Sequence, residues 1–125
     1  MLVGLGVDMV EVERIKKALD RWGERFLRRV FTSQERSYCM RKAFPEQSFA
    51  ARFAAKEAVF KAMGRGLSVG IRWTDVEIVN DKSGKPEVRL EKKITRRIDN
   101  KRILLSISHT KEFAIAQAIL VDQGK

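Results

Sequence analysis

The sequence predicts an α+β fold in one domain spanning residues 1–125, with antiparallel strands packed against helices. Two observations carry that prediction. Apolar residues recur at steps of three and four through the first half of the chain and mostly at steps of two in the second. The composition supplies a core: 44% of the 125 residues are hydrophobic, and a chain of this length buries roughly two thirds of its unfolded surface without disulfides. No internal repeat, low-complexity tract or linker rich in Pro, Gly or Ser divides it.

The elements follow in order. Leu2 to Val7 is a short apolar run ending on Asp8, read as a buried strand leading into a helix. Ile15, Leu19, Trp22, Phe26 and Val30 then fall on one helical stripe that should face the core. Gly23 lies inside this pattern, placed to divide it into two helices, because a mid-helix glycine costs up to about 1 kcal/mol relative to alanine. Ser48 is positioned to cap the next helix, in which Phe49, Phe53, Phe60 and Met63 share a face and which Gly64 and Gly66 should stop. Val76 and Ile78 alternate as a strand that Trp73 could extend, Asn80 to Pro86 is turn chemistry, and Val88 and Leu90 resume the alternation as a hairpin. Leu90, Ile94 and Ile98 step by four as a short amphipathic helix. Ile103 to Ser108 and Phe113 to Val121 are β-rich runs joined through His109, Thr110, Lys111 and Glu112, a second hairpin.

Charge narrows the function without choosing it. The 26 Lys and Arg outnumber 16 Asp and Glu, a net +10 that favours nucleic acid, anionic lipid, phosphorylated small molecules or acidic proteins. The start of the chain lacks a cationic segment and carries Asp8 and Glu11 where a signal peptide needs apolar residues. The longest near-apolar run, Phe113 to Val121, is too short to span a bilayer. With one cysteine, Cys39, the expectation is a cytoplasmic protein without an internal disulfide and without a membrane association.

One cysteine and one histidine exclude the usual zinc sites, so any metal should be a hard cation such as Mg²⁺, held by carboxylates and completed by water and phosphate. Asp8 and Glu57 stand out by context. Asp8 closes the first apolar run; with Glu11 three residues on, it equally fits a helix-capping box. Glu57 leaves the edge of a small-residue helical face, and Lys61 follows at i+4, either as a surface ion pair or as the means of holding a metal and a phosphate together. His109 sits at a strand end among hydroxyls, as a structural residue or as a ligand contact. Gly64-Arg65-Gly66 and Gly84-Lys85-Pro86 could admit a phosphate beside backbone N–H groups, or simply form turns; the phosphate-loop pattern is absent. Arg14, Lys17, Arg21, Arg25 and Arg28 fall on one flank of the first helical region, a cationic ridge that suits an acidic protein or nucleic acid unless Gly23 breaks it.

Three blocks together resemble a known family: Gly6-Val7-Asp8 with Glu11 and Arg14-Ile15; Arg52-Phe53-Ala54-Ala55-Lys56-Glu57-Ala58 through Lys61-Ala62; and Ser106-Ile107-Ser108-His109-Thr110 with Phe113-Ala114. In order, spacing and length the chain is similar to the small, trimeric group of the 4′-phosphopantetheinyl transferases, the holo-acyl-carrier-protein synthases. The resemblance implies Mg²⁺-dependent transfer of the phosphopantetheine arm of coenzyme A to a serine of apo-acyl carrier protein, releasing adenosine 3′,5′-bisphosphate, in fatty acid biosynthesis. It implies that Asp8 and Glu57 hold Mg²⁺, that Glu57 and Lys61 are catalytic, and that Arg52, Lys61, Gly64, Pro86, His109 and Thr110 contact coenzyme A. Arg14, Arg21, Arg25 and Arg28 would dock the carrier protein. The active sites of the homotrimer would lie between subunits, Asp8 and Glu57 of one chain facing His109 of the next. The group that removes the serine proton stays open between Glu57, a water on the metal and the substrate's own phosphate. The competing reading is a small basic nucleic-acid-binding module; the 8% aromatic content and the lack of a recognition motif weigh against it.

Overall fold

The computed structural model describes residues 1–99 and 101–123. Along the chain run β1 (Leu2–Glu11), α1 (Val12–Trp22), α2 (Glu24–Val30), α3 (Ser33–Met40), α4 (Pro45–Ser68), β2 (Val76–Asn80), β3 (Pro86–Leu90), α5 (Lys92–Ile98), β4 (Lys101–His109) and β5 (Phe113–Asp122), with a 3-10 turn at Trp73–Asp75. Strands β1, β5 and β4 form an antiparallel sheet in that order, and β2 pairs with β3 in a separate hairpin. This is the α+β class with antiparallel pairing that the periodicities predict.

Helix α4 is the axis of the molecule, packed along one face of the sheet. The approach is close because small residues meet there. The inward residues of β5 are Ala114, Ala116, Ala118 and Leu120, and α4 turns Ala54, Ala55, Ala58 and Ala62 into the same core. Gly4 and Gly6 of β1 complete the contact: a Cβ on Gly6 would lie 2.0 Å from the carbonyl oxygen of Ala58, and one on Gly4 1.9 Å from that of Ala62. The glycine spacing therefore brings a backbone against a helix. The other side of α4 is covered by aromatic rings, Phe31 against Phe49 at 4.9 Å, Phe53 against Trp73 at 5.1 Å and Phe60 against Trp73 at 5.3 Å between centroids.

Several expectations change. The first strand runs on through Asp8 to Glu11, with Asp8 opposite Ala116. Asp8 is therefore a strand residue rather than a helix cap; α1 starts after Glu11, which makes no side-chain capping bond. Nor is β1 buried on both faces. It is a sheet edge whose Leu5, Val7 and Met9 are 55%, 52% and 63% exposed. Gly23 divides the long helical stripe as expected, at φ 53°, and this bend leaves Trp22 exposed beside Arg21, whose guanidinium lies 4.8 Å from the ring centre. Helix α4 begins at Pro45, where the missing N–H is harmless, and Ser48 hydrogen-bonds Cys39 Sγ at 3.1 Å instead of capping. Gly64 (φ 78°, ψ 171°) leaves helical geometry, so the helix breaks there as expected, while Gly66 lies within a second helical stretch that carries on to Ser68.

Helix α3 has no counterpart in the sequence reading. It opens with a capping box between Thr32 and Glu35 and presents Glu35 and Cys39 to the core. Glu35 is buried because Lys56 meets it, Nζ to Oε1 at 2.6 Å, with both side chains fully enclosed. Desolvation draws the Lys56 ammonium below the usual lysine range, and the Glu35 carboxylate opposes that pull. Among the described residues no helix is long and apolar enough to cross a membrane.

Candidate active site

Two clusters form on the helix-facing side of the sheet, at its opposite edges. The first gathers Asp8, Glu57 and Lys61. Asp8 follows Gly6 by two residues, so it projects from β1 on the face that meets α4. Lys61 reaches across and donates to Asp8 Oδ1 and to the Val7 carbonyl oxygen, each at 3.1 Å. The helical pair that i+4 spacing allows, Glu57 with Lys61, thus gives way to a bond between helix and strand. The Glu57 carboxyl is pushed above its usual range, first by burial and then by the Asp8 carboxylate, with Lys61 pulling the other way. Two neighbouring carboxylates beside one ammonium, which bonds Asp8, leave local negative charge that a cation would neutralise.

That donor set fits Mg²⁺, which is commonly held by one or two carboxylates, its other positions filled by water and phosphate oxygens. Among the described residues no group of three or more His, Cys, Asp or Glu side chains gathers, so the protein supplies an open edge rather than a closed cage.

The second cluster lines a cavity of about 370 Å³ and includes Arg52, Tyr38, Lys42, Asn80, Pro86 and His109. Arg52 is only 5% exposed. Its guanidinium stacks 4.0 Å from the Tyr38 ring centre and donates to Asn80 Oδ1 at 2.7 Å, while its Nε is buried with no hydrogen-bond partner among the described residues. An enclosed guanidinium held by an amide and a ring face retains capacity for an anion. His109 ends β4, opposite Ala114 of β5. The Thr110 hydroxyl accepts from the backbone N–H groups of Glu112 and Phe113 at 3.2 and 3.1 Å, which closes the turn behind His109.

The six residues expected to meet coenzyme A therefore separate. Arg52, Pro86 and His109 share the cavity and Thr110 borders His109, whereas Lys61 lies at the β1 edge and Gly64 one turn beyond it on α4. Strand β5 lies between β1 and β4, so within one chain Asp8 and His109 stand on strands roughly 10 Å apart. Tyr38, Lys42 and Asn80 were not foreseen. Tyr38 belongs to the unforeseen α3, and Asn80 reads in sequence as an ordinary turn residue.

The cationic ridge is split between α1 (Arg14, Lys17, Arg21) and α2 (Arg25, Arg28), and all five residues are exposed. Arg28 pairs with Glu24 through Nε at 3.1 Å, with both side chains 70% exposed, an arrangement worth about 1 kcal/mol at most.

The profile of the 4′-phosphopantetheinyl transferase superfamily matches residues 4–118, and the chain belongs to that superfamily. It is 47% identical over 119 residues to the holo-[acyl-carrier-protein] synthase of Protochlamydia amoebophila, covering 95% of this chain and 98% of that one. The synthase of Koribacter versatilis is 42% identical over 125 residues, covering 98% and 100%. Among solved structures, the Bacillus anthracis holo-(acyl-carrier-protein) synthase in complex with CoA (3′,5′-ADP) superposes with a TM-score of 0.80 at 38% identity, covering 96% of each chain. The Helicobacter pylori synthase in complex with coenzyme A gives 0.78 at 30% identity, covering 94% of this chain and 99% of that one. Within the superfamily the chain falls with the holo-[acyl-carrier-protein] synthases and is an enzyme of that type.

Proposed function

We propose that the chain, acting as one domain over residues 1–125, transfers the phosphopantetheine arm of coenzyme A to a serine of apo-acyl carrier protein in the cytoplasm, for fatty acid biosynthesis. The observation that carries this reading is the meeting of Asp8, Glu57 and Lys61 at one sheet edge in a chain of this family. Asp8 and Glu57 hold Mg²⁺, which when bound neutralises pyrophosphate charge and aligns the phosphorus for in-line attack. Lys61, half-exposed and already turned toward Asp8, supplies an ammonium to the leaving phosphate. Arg52, His109 and Pro86 receive the nucleotide end with its phosphate. Incubation with coenzyme A and Mg²⁺ should add one phosphopantetheine mass to an apo carrier protein. Well-folded enzyme that leaves the carrier mass unchanged would falsify the reading.

The ridge serves the protein substrate. Arg14→Glu with Arg21→Glu should raise KM for the carrier protein by about 10- to 100-fold, less so at high salt, with KM for coenzyme A nearly constant. Equal rises in both constants would remove the docking role. Arg28, already engaged by Glu24, should matter less.

The working form is a homotrimer with sites between subunits. Two observations support it: Leu5, Val7, Met9, Phe113 and Ile115 expose an apolar outer sheet face, and the two clusters sit at opposite edges of one sheet. Chains carrying Asp8→Ala and chains carrying His109→Ala, each nearly inactive, should regain about a quarter of wild-type activity when refolded together, since random closed trimers rebuild that share of sites. No regained activity in verified mixed trimers would place both residues in one chain's site.

A further inference from the structure

The mechanism above leaves unused the most enclosed charges among the described residues, Lys56 and Glu35. Lys56 lies one turn after Arg52 on α4, and its ammonium is surrounded by oxygen: Glu35 Oε1 at 2.6 Å, the Val30 carbonyl at 2.7 Å and the Trp73 carbonyl at 3.0 Å. Glu35 in turn accepts from the N–H of Thr32 at 2.8 Å and from that of Ile78 at 2.7 Å. One network thus joins the end of α2, the start of α3, α4, the turn at Trp73 and strand β2.

A buried ion pair is a poor stability device, because apolar side chains of the same volume commonly serve as well or better. What it does set is the mutual position of the elements it joins. Glu35 lies three residues before Tyr38 on α3, and Ile78 two residues before Asn80 on β2. Tyr38 and Asn80 are the two groups that hold the Arg52 guanidinium. Each is carried by an element that the Lys56–Glu35 pair clamps to α4.

We propose that Lys56, through Glu35, is a positioning residue for nucleotide binding: it fixes α3 and β2 so that Tyr38 and Asn80 present Arg52 to the phosphate end of coenzyme A. This rests on the reading of Arg52 as a phosphate contact.

Calorimetric titration with adenosine 3′,5′-bisphosphate, without Mg²⁺, tests it. Arg52→Lys and the double variant Glu35→Gln/Lys56→Met should each raise the dissociation constant at least fivefold. The triple variant should be no weaker than Arg52→Lys alone, and KM for coenzyme A should rise more than kcat falls. Ile94→Ala, a core truncation outside this network, should lower the melting temperature and leave the constant unchanged. An unchanged constant in the double variant, or a triple variant in which the losses multiply, overturns the positioning role. An unchanged constant in Arg52→Lys instead removes the phosphate reading on which it stands. If the double variant does not fold, Asn80→Ala decides: weaker binding that does not multiply with Arg52→Lys supports the proposal, and unchanged or multiplying effects overturn it.

Discussion

Glu57→Gln and Asp8→Asn should each lower turnover by roughly 10²- to 10³-fold, the scale of losing one electrostatic contact to a developing transition state, while the fold survives. The stability side of the prediction has a definite sign. Burial and the Asp8 carboxylate raise the Glu57 carboxyl, so the unfolded chain ionises there more readily than the folded one. Folding stability therefore falls as pH climbs through the interval above the ordinary carboxylate range. Glutamine cannot ionise and removes that loss. In chelator, Glu57→Gln should melt at or above the wild-type temperature at neutral pH, with the difference vanishing in acid; Lys61 keeps the gain modest. Asp8→Asn gives up a partly exposed ion pair, a loss of about 1 kcal/mol at most. Turnover collapsing in a chain that loses no more than about 1 kcal/mol of stability marks residues kept for chemistry. Turnover within a few-fold of wild type in both variants would return the pair to a structural role.

Much of this architecture is legible in the periodicities because the core obeys them. Phe49 and Met63 are buried where the helical spacing puts them, and Val76 and Ile78 where the alternation does. The failures share a cause. Helix α3 gives no apolar stripe, because one of its two core positions is a glutamate whose burial depends on a lysine 21 residues further along the chain. A binary pattern of polar and apolar residues cannot register two charges that cancel inside the protein. Trp22 fits the stripe in sequence, yet the turn at Gly23 carries it out of the core; the spacing assumes a straight helix that the glycine ends.

The site divides along the same line. Asp8, Glu57 and Lys61 are visible as residue types at suggestive spacings, but nothing in the spacing says that Lys61 bonds across to the strand rather than along its helix. Arg52 is conspicuous only inside its block. Its stacking on Tyr38 and its bond to Asn80 are tertiary facts, because Tyr38 and Asn80 lie 14 residues before it and 28 after it. The apolar run of β1 misleads most: its outward residues read as core, and within a single chain they face open space.

Gly6→Ala should be among the most damaging single substitutions away from the charged residues. The added Cβ would stand 2.0 Å from the Ala58 carbonyl oxygen and 2.7 Å from the Ala62 nitrogen, both backbone atoms of α4. No rotamer change relieves such a contact. Helix and strand must part by roughly 1 Å, and overpacking that forces backbone movement costs about 3 kcal/mol or more, a large share of the roughly 5–15 kcal/mol that holds a domain together. The same displacement acts on function, because Asp8 is two residues along β1 and Glu57 immediately precedes Ala58. Parting the two backbones lengthens the reach from Lys61 to Asp8 and pulls the carboxylates apart. The variant should melt well below wild type, and whatever remains folded should need more Mg²⁺ for half-maximal activity. Gly66→Ala is the matched control: its Cβ would meet nothing within 4 Å, so a helical alanine there should leave stability equal or slightly higher. Equal melting of Gly6→Ala and Gly66→Ala would mean that the strand does not need its close approach to α4, and the account of how Asp8 reaches Lys61 would go with it.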